Sequence, residues 1–201
     1  MKKGRCVITE KMQLTNDIFK ITFETDELGF ERPGQKLELT VPECGKCTMP
    51  VCEYDSDRFS VVCRASTDAF RELSELPVGT SLDVITGVGE GINLEDFPSG
   101  ATLIAQDMGI PVMLGTIRQL LMLGKDCNLV LGYNSKPEVF MLDLFRPLCS
   151  TLEVVTVDGS NGRPGYASDA VNKAEYVCAA GSSDTISRIQ SKFQCGQFVV
   201  V

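Results

Sequence analysis

Residues 101–123, ATLIAQDMGIPVMLGTIRQLLML, decide how the rest of the chain is read. Thr102 to Ala105 is a short apolar run of the length expected for a buried strand. Gln106-Asp107-Met108-Gly109 reads as a tight turn, and Pro111 suits the first turn of a helix. Beyond it, Leu114, Ile117, Leu120 and Leu121 recur at helical spacing. Strand, turn and helix in this order open a mononucleotide-binding half, whose turn is where a dinucleotide's phosphates would sit. The turn carries a single glycine, Gly109, where such turns commonly carry several, so the architecture is present with an altered chemistry.

From this stretch toward the C-terminus, strand and helix alternate. Residues 127–132 form an apolar strand, 137–145 carry a helix, and 151–157 are a β-branched strand. A helix over 167–173, a strand over 176–179, a helix over 183–193 and a strand over 198–201 complete the series. This repeat predicts a mainly parallel sheet covered on both faces.

Toward the N-terminus the pattern differs. Residues 6–14, 18–25, 36–41, 49–54, 59–64 and 81–85 are strand-like, with a hairpin across 55–57 and a short helix over 69–76. Six short strands and one small helix predict a compact antiparallel barrel. The glycine-rich connection Gly87 to Pro98 divides the chain into an expected barrel domain, 1–98, and an α/β domain, 99–201.

Composition narrows the chemistry. With 201 residues, 43% apolar and 23% charged, the chain can bury an ordinary core. A net charge of −8 without a basic run argues against nucleic acid as a partner. No apolar segment approaches the roughly 20 residues a bilayer helix needs, so no membrane partner is expected. MKKGRCVITE lacks a signal peptide's apolar region, and a cytoplasmic location is the expectation. Histidine is absent, which excludes Ser-His-Asp and Cys-His nucleophilic sites and HExxH zinc sites. Nine cysteines in such a compartment point to reduced thiols or a metal site rather than disulfides.

Five ordered segments resemble the ferredoxin-NADP reductase superfamily, and within it the electron-transfer subunits of type B dihydroorotate dehydrogenases. They are Pro33-Gly34-Gln35, residues 71–79 (RELSELPVG), residues 82–91 (LDVITGVGEG), Leu131-Gly132-Tyr133 and residues 158–162 (DGSNG). The resemblance implies a ferredoxin reductase-like fold: an antiparallel β-barrel followed by an α/β domain with a parallel, nucleotide-binding-type sheet. It also implies an oxidoreductase that moves electrons between NAD(H), a flavin and a dehydrogenase or other redox subunit. A homodimer stays open beside that partner.

In the family the barrel holds FAD, and its Arg-Pro-x-Ser segment corresponds here to Cys47-Thr48-Met49-Pro50, with Val51 next. Cys47 stands for the arginine and Pro50 for the serine. The family's glycine-rich phosphate loop corresponds to Thr67-Asp68-Ala69-Phe70, and Arg64 could supply a replacement cation. Thr48, Met49, Pro50, Val51, Arg64, Ser66 and Thr67 are therefore the candidate flavin contacts. On the NAD(H) side the candidates are Gly109, Asp158 of Asp-Gly-Ser, and Gly181, where Ala180-Gly181-Ser182 replaces the family's Cys-Gly-Pro. The family's iron-sulfur cluster needs four late cysteines, and Cys195 stands alone, so no such cluster is expected within this chain.

Cys44-Gly-Lys-Cys47 is a Cys-x2-Cys knuckle of the kind that supplies half of a zinc or iron site, with Cys52 and Cys63 considered for the other half. Cys6, Cys127, Cys149 and Cys178 read as small core residues. Asp83, Glu90, Glu95 and Asp96 read as a solvated rim. Beside electron transfer, two other readings remain: a divergent binding or scaffold subunit without cofactor, and a metal-binding protein using Cys44 and Cys47.

Overall fold

The computed structural model describes residues 1–193 and 196–201. They form two compact units, Met1–Gly91 and Ile92–Val201. The division falls inside the glycine-rich connection, because residues beyond it are tied to the second unit. Phe97 is buried with its ring 4.9 Å from that of Tyr176, and Lys125 donates to the carbonyls of Leu94 (2.9 Å) and Glu95 (3.0 Å).

The first unit is a curled antiparallel sheet. Its strands are β1 (Lys2–Gln13), β2 (Ile18–Glu24), β3 (Lys36–Val41), β4 (Gly45–Pro50), β5 (Glu53–Asp55), β6 (Arg58–Arg64) and β7 (Ser81–Val88), with helix α1 over Asp68–Glu75. Seven strands form where six are predicted, in the order β4-β3-β7-β1-β2-β6-β5. The run predicted as one strand over 49–54 is broken at Val51-Cys52. Its first part continues β4, paired with β3, and its last part is β5, paired with β6. That break draws the sheet's two ends together. Val51 N–H donates to the Gln35 carbonyl beyond β3 (2.9 Å), and Cys52 N–H donates to the Ser60 carbonyl on β6 (2.8 Å).

Alternation along the strands supplies the core, since successive side chains face opposite sides. Leu37, Leu39 and Val41 of β3, Cys47 and Met49 of β4, and Phe59, Val61 and Cys63 of β6 all point inward. Phe23 stacks on Phe59 with centroids 5.0 Å apart, a pair worth about 0.5–1.5 kcal/mol beyond its buried area. Gln35 explains the Pro-Gly-Gln motif. Its side-chain oxygen accepts from the N–H groups of Glu31 (2.8 Å) and Arg32 (3.1 Å), and its amide donates to the Gly89 carbonyl (2.9 Å).

The second unit is a six-stranded parallel sheet with helices. It runs β8 (Ala101–Gln106), α2 (Ile110–Met122), β9 (Cys127–Tyr133), α3 (Leu142–Phe145), β10 (Thr151–Thr156), β11 (Arg163–Pro164), α4 (Ala167–Ala170), β12 (Val177–Gly181), α5 (Ser183–Lys192) and β13 (Gly196–Val200). Strand order is β11-β10-β9-β8-β12-β13, all pairings parallel. Helix α2 buries Ile110, Leu114, Ile117 and Leu120. It ends in a left-handed Gly124 (φ 70°), where Lys125 N–H donates to Leu120 O and Gly124 N–H to Leu121 O, the paired bonds of a Schellman cap.

Two predicted helices are shorter than expected. Only Leu142–Phe145 is α-helical within 137–145, because Met141 enters the left-handed region (φ 63°) and Phe140 packs edge-on against Tyr133 at 5.6 Å. Likewise α4 stops at Ala170 rather than Lys173, with Val171 already extended. No helix is long and apolar enough to cross a membrane among the described residues.

Candidate nucleotide crevice

In the parallel sheet the chain leaves β8 toward β9 on one side and later returns to β12 on the other. The carboxyl ends of β8 and β12 are therefore the topological switch point, where open α/β sheets form their ligand crevice. A cavity of about 450 Å³ lies there. Gln106, Asp107, Met108, Asn134, Tyr166 and Ser182 line it together with Asp184, Thr185, Arg188 and Val201.

The turn after β8 is held by close backbone packing. Gly109 has an ordinary φ of −74°, yet a Cβ there would overlap the Ala180 carbonyl and come 2.6 Å from the Gly181 nitrogen. This glycine is thus required by the approach of the turn to β12 rather than by backbone conformation. Asp107 sits in the left-handed region at φ 52°, at the mouth of the crevice, which costs a non-glycine residue about 1–2 kcal/mol. Gln106 is nearly fully buried, and its side-chain oxygen accepts from the Ala167 N–H at 3.0 Å. Gly132 makes room for that amide: a Cβ on it would lie 2.7 Å from the Gln106 Cδ.

On the far side, Ser182 caps α5. Its hydroxyl accepts from the Thr185 N–H at 3.3 Å and lies 3.1 Å from the Thr185 hydroxyl. One turn on, the Arg188 guanidinium lies 4.0 Å above the Tyr166 ring. Tyr166 is positioned through its backbone, because its N–H donates to the Asp169 carboxylate at 3.1 Å. That hydrogen bond, with smaller contributions from Lys192 and Arg188, holds the Asp169 carboxyl below the usual range. The crevice therefore carries one guanidinium on an aromatic platform, two carboxylates (Asp107 and Asp184), and hydroxyl and amide groups between them.

Of the residues predicted for NAD(H), Gly109 and Gly181 come together beside this crevice. Asp158 does not line it. Its carboxylate accepts from the Ser160 N–H (2.9 Å) and hydroxyl (2.6 Å), which lowers its pKa, and the Ser160 hydroxyl in turn accepts from Lys136 N–H (2.7 Å). Asp158 thus organises the turn after β10. Tyr166, Thr185 and Arg188 escape sequence reasoning because the fold unites them from separate segments. Gly165 (φ 119°) before Tyr166 and the serine cap before α5 are the only local signals.

The candidate flavin contacts lie in the first unit. Thr48 faces outward from β4, Met49 and Val51 are buried, and Pro50 is half-buried. Cys47 faces the core, where burial pushes its thiol up to about 11, so it carries no charge at neutral pH. Arg64 ends β6 with its Nε 3.1 Å from the Asp17 carboxylate. Ser66 is exposed and its hydroxyl donates to the Arg64 carbonyl at 3.4 Å. Thr67 is the N-cap of α1, its hydroxyl accepting from Phe70 N–H, and Asp68 in the first turn pairs with Arg71.

Cys44 is exposed in the turn between β3 and β4, so the knuckle sends one thiol outward and the other inward. Cys52 and Cys63 are buried, and the Cys63 thiol lies 3.5 Å from the Met49 sulfur. Among the described residues no group of three or more His, Cys, Asp or Glu could hold a metal ion. Cys195 lies outside the described residues.

No protein-family model matches the chain. It is 26% identical over 181 residues to the dihydroorotate dehydrogenase B (NAD(+)) electron transfer subunit of Shouchella clausii, covering 86% of this chain and 70% of the relative. The corresponding subunit of Streptococcus thermophilus is 24% identical over 198 residues, covering 93% and 77%. Among solved structures, an NADH-dependent reduced ferredoxin-NADP oxidoreductase superposes with a TM-score of 0.82 at 22% identity, over 94% of this chain and 72% of the other. Phthalate dioxygenase reductase gives 0.84 at 16%, over 98% and 68%. The chain therefore has the ferredoxin-NADP reductase-like fold and resembles the electron-transfer subunits of dihydroorotate dehydrogenase B.

Proposed function

We propose that the chain is an electron-transfer subunit that works beside a separate dehydrogenase or other redox subunit and takes NAD(H) in the crevice of its α/β unit. The observation that carries this reading is the cavity at the carboxyl ends of β8 and β12, with Arg188 stacked on Tyr166 at one wall. The names of the relatives supply the partner class, since they are subunits of a dehydrogenase.

NAD(H) enters as substrate. The Arg188 guanidinium offers a planar fork to one phosphate, a geometry that favours bidentate recognition. The start of α5 is capped by Ser182 and carries Asp184 in its first turn, so the contact with the anion falls to Arg188. Asp107 and Asp184 suit ribose hydroxyls, which donate to a carboxylate, and they direct the phosphate toward Arg188 by repulsion. The cavity volume lies within the range of small-molecule sites, roughly 300–1,000 Å³.

The FAD that the family plan places on the first unit meets a different surface. The flavin diphosphate needs cations or free helix N–H groups. Here Cys47 is neutral, Arg64 faces the Asp17 carboxylate, and the start of α1 carries Asp68 and the Thr67 cap. These residues do not fit the diphosphate.

The test is a fluorescence titration of the full chain with NADH, wild type against Arg188→Ala. Saturable binding that weakens about 10-fold or more in the variant is expected, the loss of a charge-assisted pair. Absence of saturable binding, or binding indifferent to Arg188, overturns the reading.

A further inference from the structure

We infer that the first unit of this chain does not itself hold the flavin that accepts the electrons of NAD(H): it has exchanged an anion-binding surface for a closed, ion-paired one. The inference rests on the reading that the crevice takes NAD(H).

Two substitutions and one ion pair act on the same ligand group. On β4, the inward thiol of Cys47 lies among Leu39, Met49 and Cys63 in the core, and its ionisation is pushed up to about 11. At neutral pH it offers no positive charge to a phosphate. On β6, Arg64 is a cation of the right kind, but its Nε lies 3.1 Å from the Asp17 carboxylate in the turn between β1 and β2, and its side chain is largely covered. A diphosphate would have to displace that carboxylate before gaining the guanidinium. At α1, the first-turn Asp68 pairs with Arg71, and the Thr67 hydroxyl already accepts from the Phe70 N–H. A second anion at this helix start would meet the Asp68 charge in place of an open set of N–H donors.

Redox balance then requires an acceptor other than a flavin held on this surface. Oxidation of NADH breaks a C–H bond of the dihydronicotinamide, and the electron pair leaves with the hydrogen as hydride. NAD+ remains, and a solvent proton completes the reduction of a two-electron heterocyclic acceptor. The acceptor that balances the step is a flavin-class ring held elsewhere than on this first-unit surface.

Equilibrium dialysis of the full-length chain against FAD tests this, with bound flavin read by its visible absorbance. A dissociation constant weaker than about 100 µM is the expected result, and a tighter one overturns the inference. The NADH titration of the same preparation reports separately on the crevice. Loss of NADH binding with no FAD binding would defeat the proposed function while leaving the flavin result in place. Tight FAD binding with NADH retained would defeat only the inference.

Discussion

Replacing Gly109 by alanine isolates the packing that shapes the crevice. The backbone at 109 is conformationally ordinary, with φ −74°, so an alanine adopts it without torsional strain. The whole cost is steric: the new methyl overlaps the Ala180 carbonyl and lies 2.6 Å from the Gly181 nitrogen. These are main-chain atoms of a central strand, paired to β8 and β13 on either side, and cannot swing away as a side-chain tip would. Overpacking typically costs about 1–3 kcal/mol, and an obstacle made of backbone places Gly109→Ala at about 3 kcal/mol. For a unit of this size that lowers the melting temperature by roughly 10–20 °C.

Gly124→Ala is the matched control. Its φ of 70° requires the left-handed region, but nothing lies within 4 Å of where the new methyl would stand, so only the torsional cost of about 1 kcal/mol remains. Urea unfolding followed by tyrosine fluorescence suits the comparison. Tyr133, Tyr166 and Tyr176 lie in the second unit, and the chain has no tryptophan. A Gly109→Ala midpoint no lower than that of Gly124→Ala would refute the packing argument.

Asp107→Gly removes both a left-handed non-glycine and a carboxylate from the mouth of the crevice. The strain relieved and the chain entropy gained by the unfolded state are each about 1 kcal/mol, so stability should change little while NADH binds several-fold more weakly, a ribose hydroxyl having lost its carboxylate acceptor; a loss above about 2 kcal/mol on urea unfolding would show that contacts of the Asp107 side chain outweigh its backbone. The buried thiols predict an alkaline limit to stability. Cys6, Cys127 and Cys178 are raised by burial to about 12 and Cys47 to about 11, from an ordinary value of 9.0. Since these folded values lie above the unfolded one, the stabilisation is complete below pH 9.0 and is lost as pH rises toward 11–12. Each such thiol steepens the fall by about 1.4 kcal/mol per pH unit in that window, and a flat urea midpoint between about pH 8 and about pH 10 would contradict it.

The sequence carried most of the fold because its signals are local. The apolar run of β8, the turn and the helical spacing of Leu114, Ile117 and Leu120 depend on neighbours alone, and they announce a nucleotide-type unit. Where tertiary contacts override local pattern, sequence and structure part. Residues 137–145 have helical periodicity, yet Phe140 is drawn onto Tyr133, whose hydroxyl donates to the Phe140 carbonyl at 2.7 Å, and the chain kinks at Met141. The corner at Val51-Cys52 is likewise invisible locally, since it answers to Gln35 and Ser60.

The crevice was half legible. Gly109 and Gly181 declare themselves as glycines in a turn, and the structure adds the reason, a close crossing of backbones. Arg188 and Tyr166 could not be read, because their stacking exists only after α5 returns along β12. Asp158 is the opposite case: the resemblance points to it, while its carboxylate is occupied by its own turn through Ser160.

Amide hydrogen exchange of the full chain with and without NADH tests the central claim most directly. The account predicts slowed exchange at the start of α5 and in the turn after β8, residues 182–188 and 106–109, which border the crevice. Unchanged exchange in both segments at saturating NADH, or protection confined to the first unit, would contradict it.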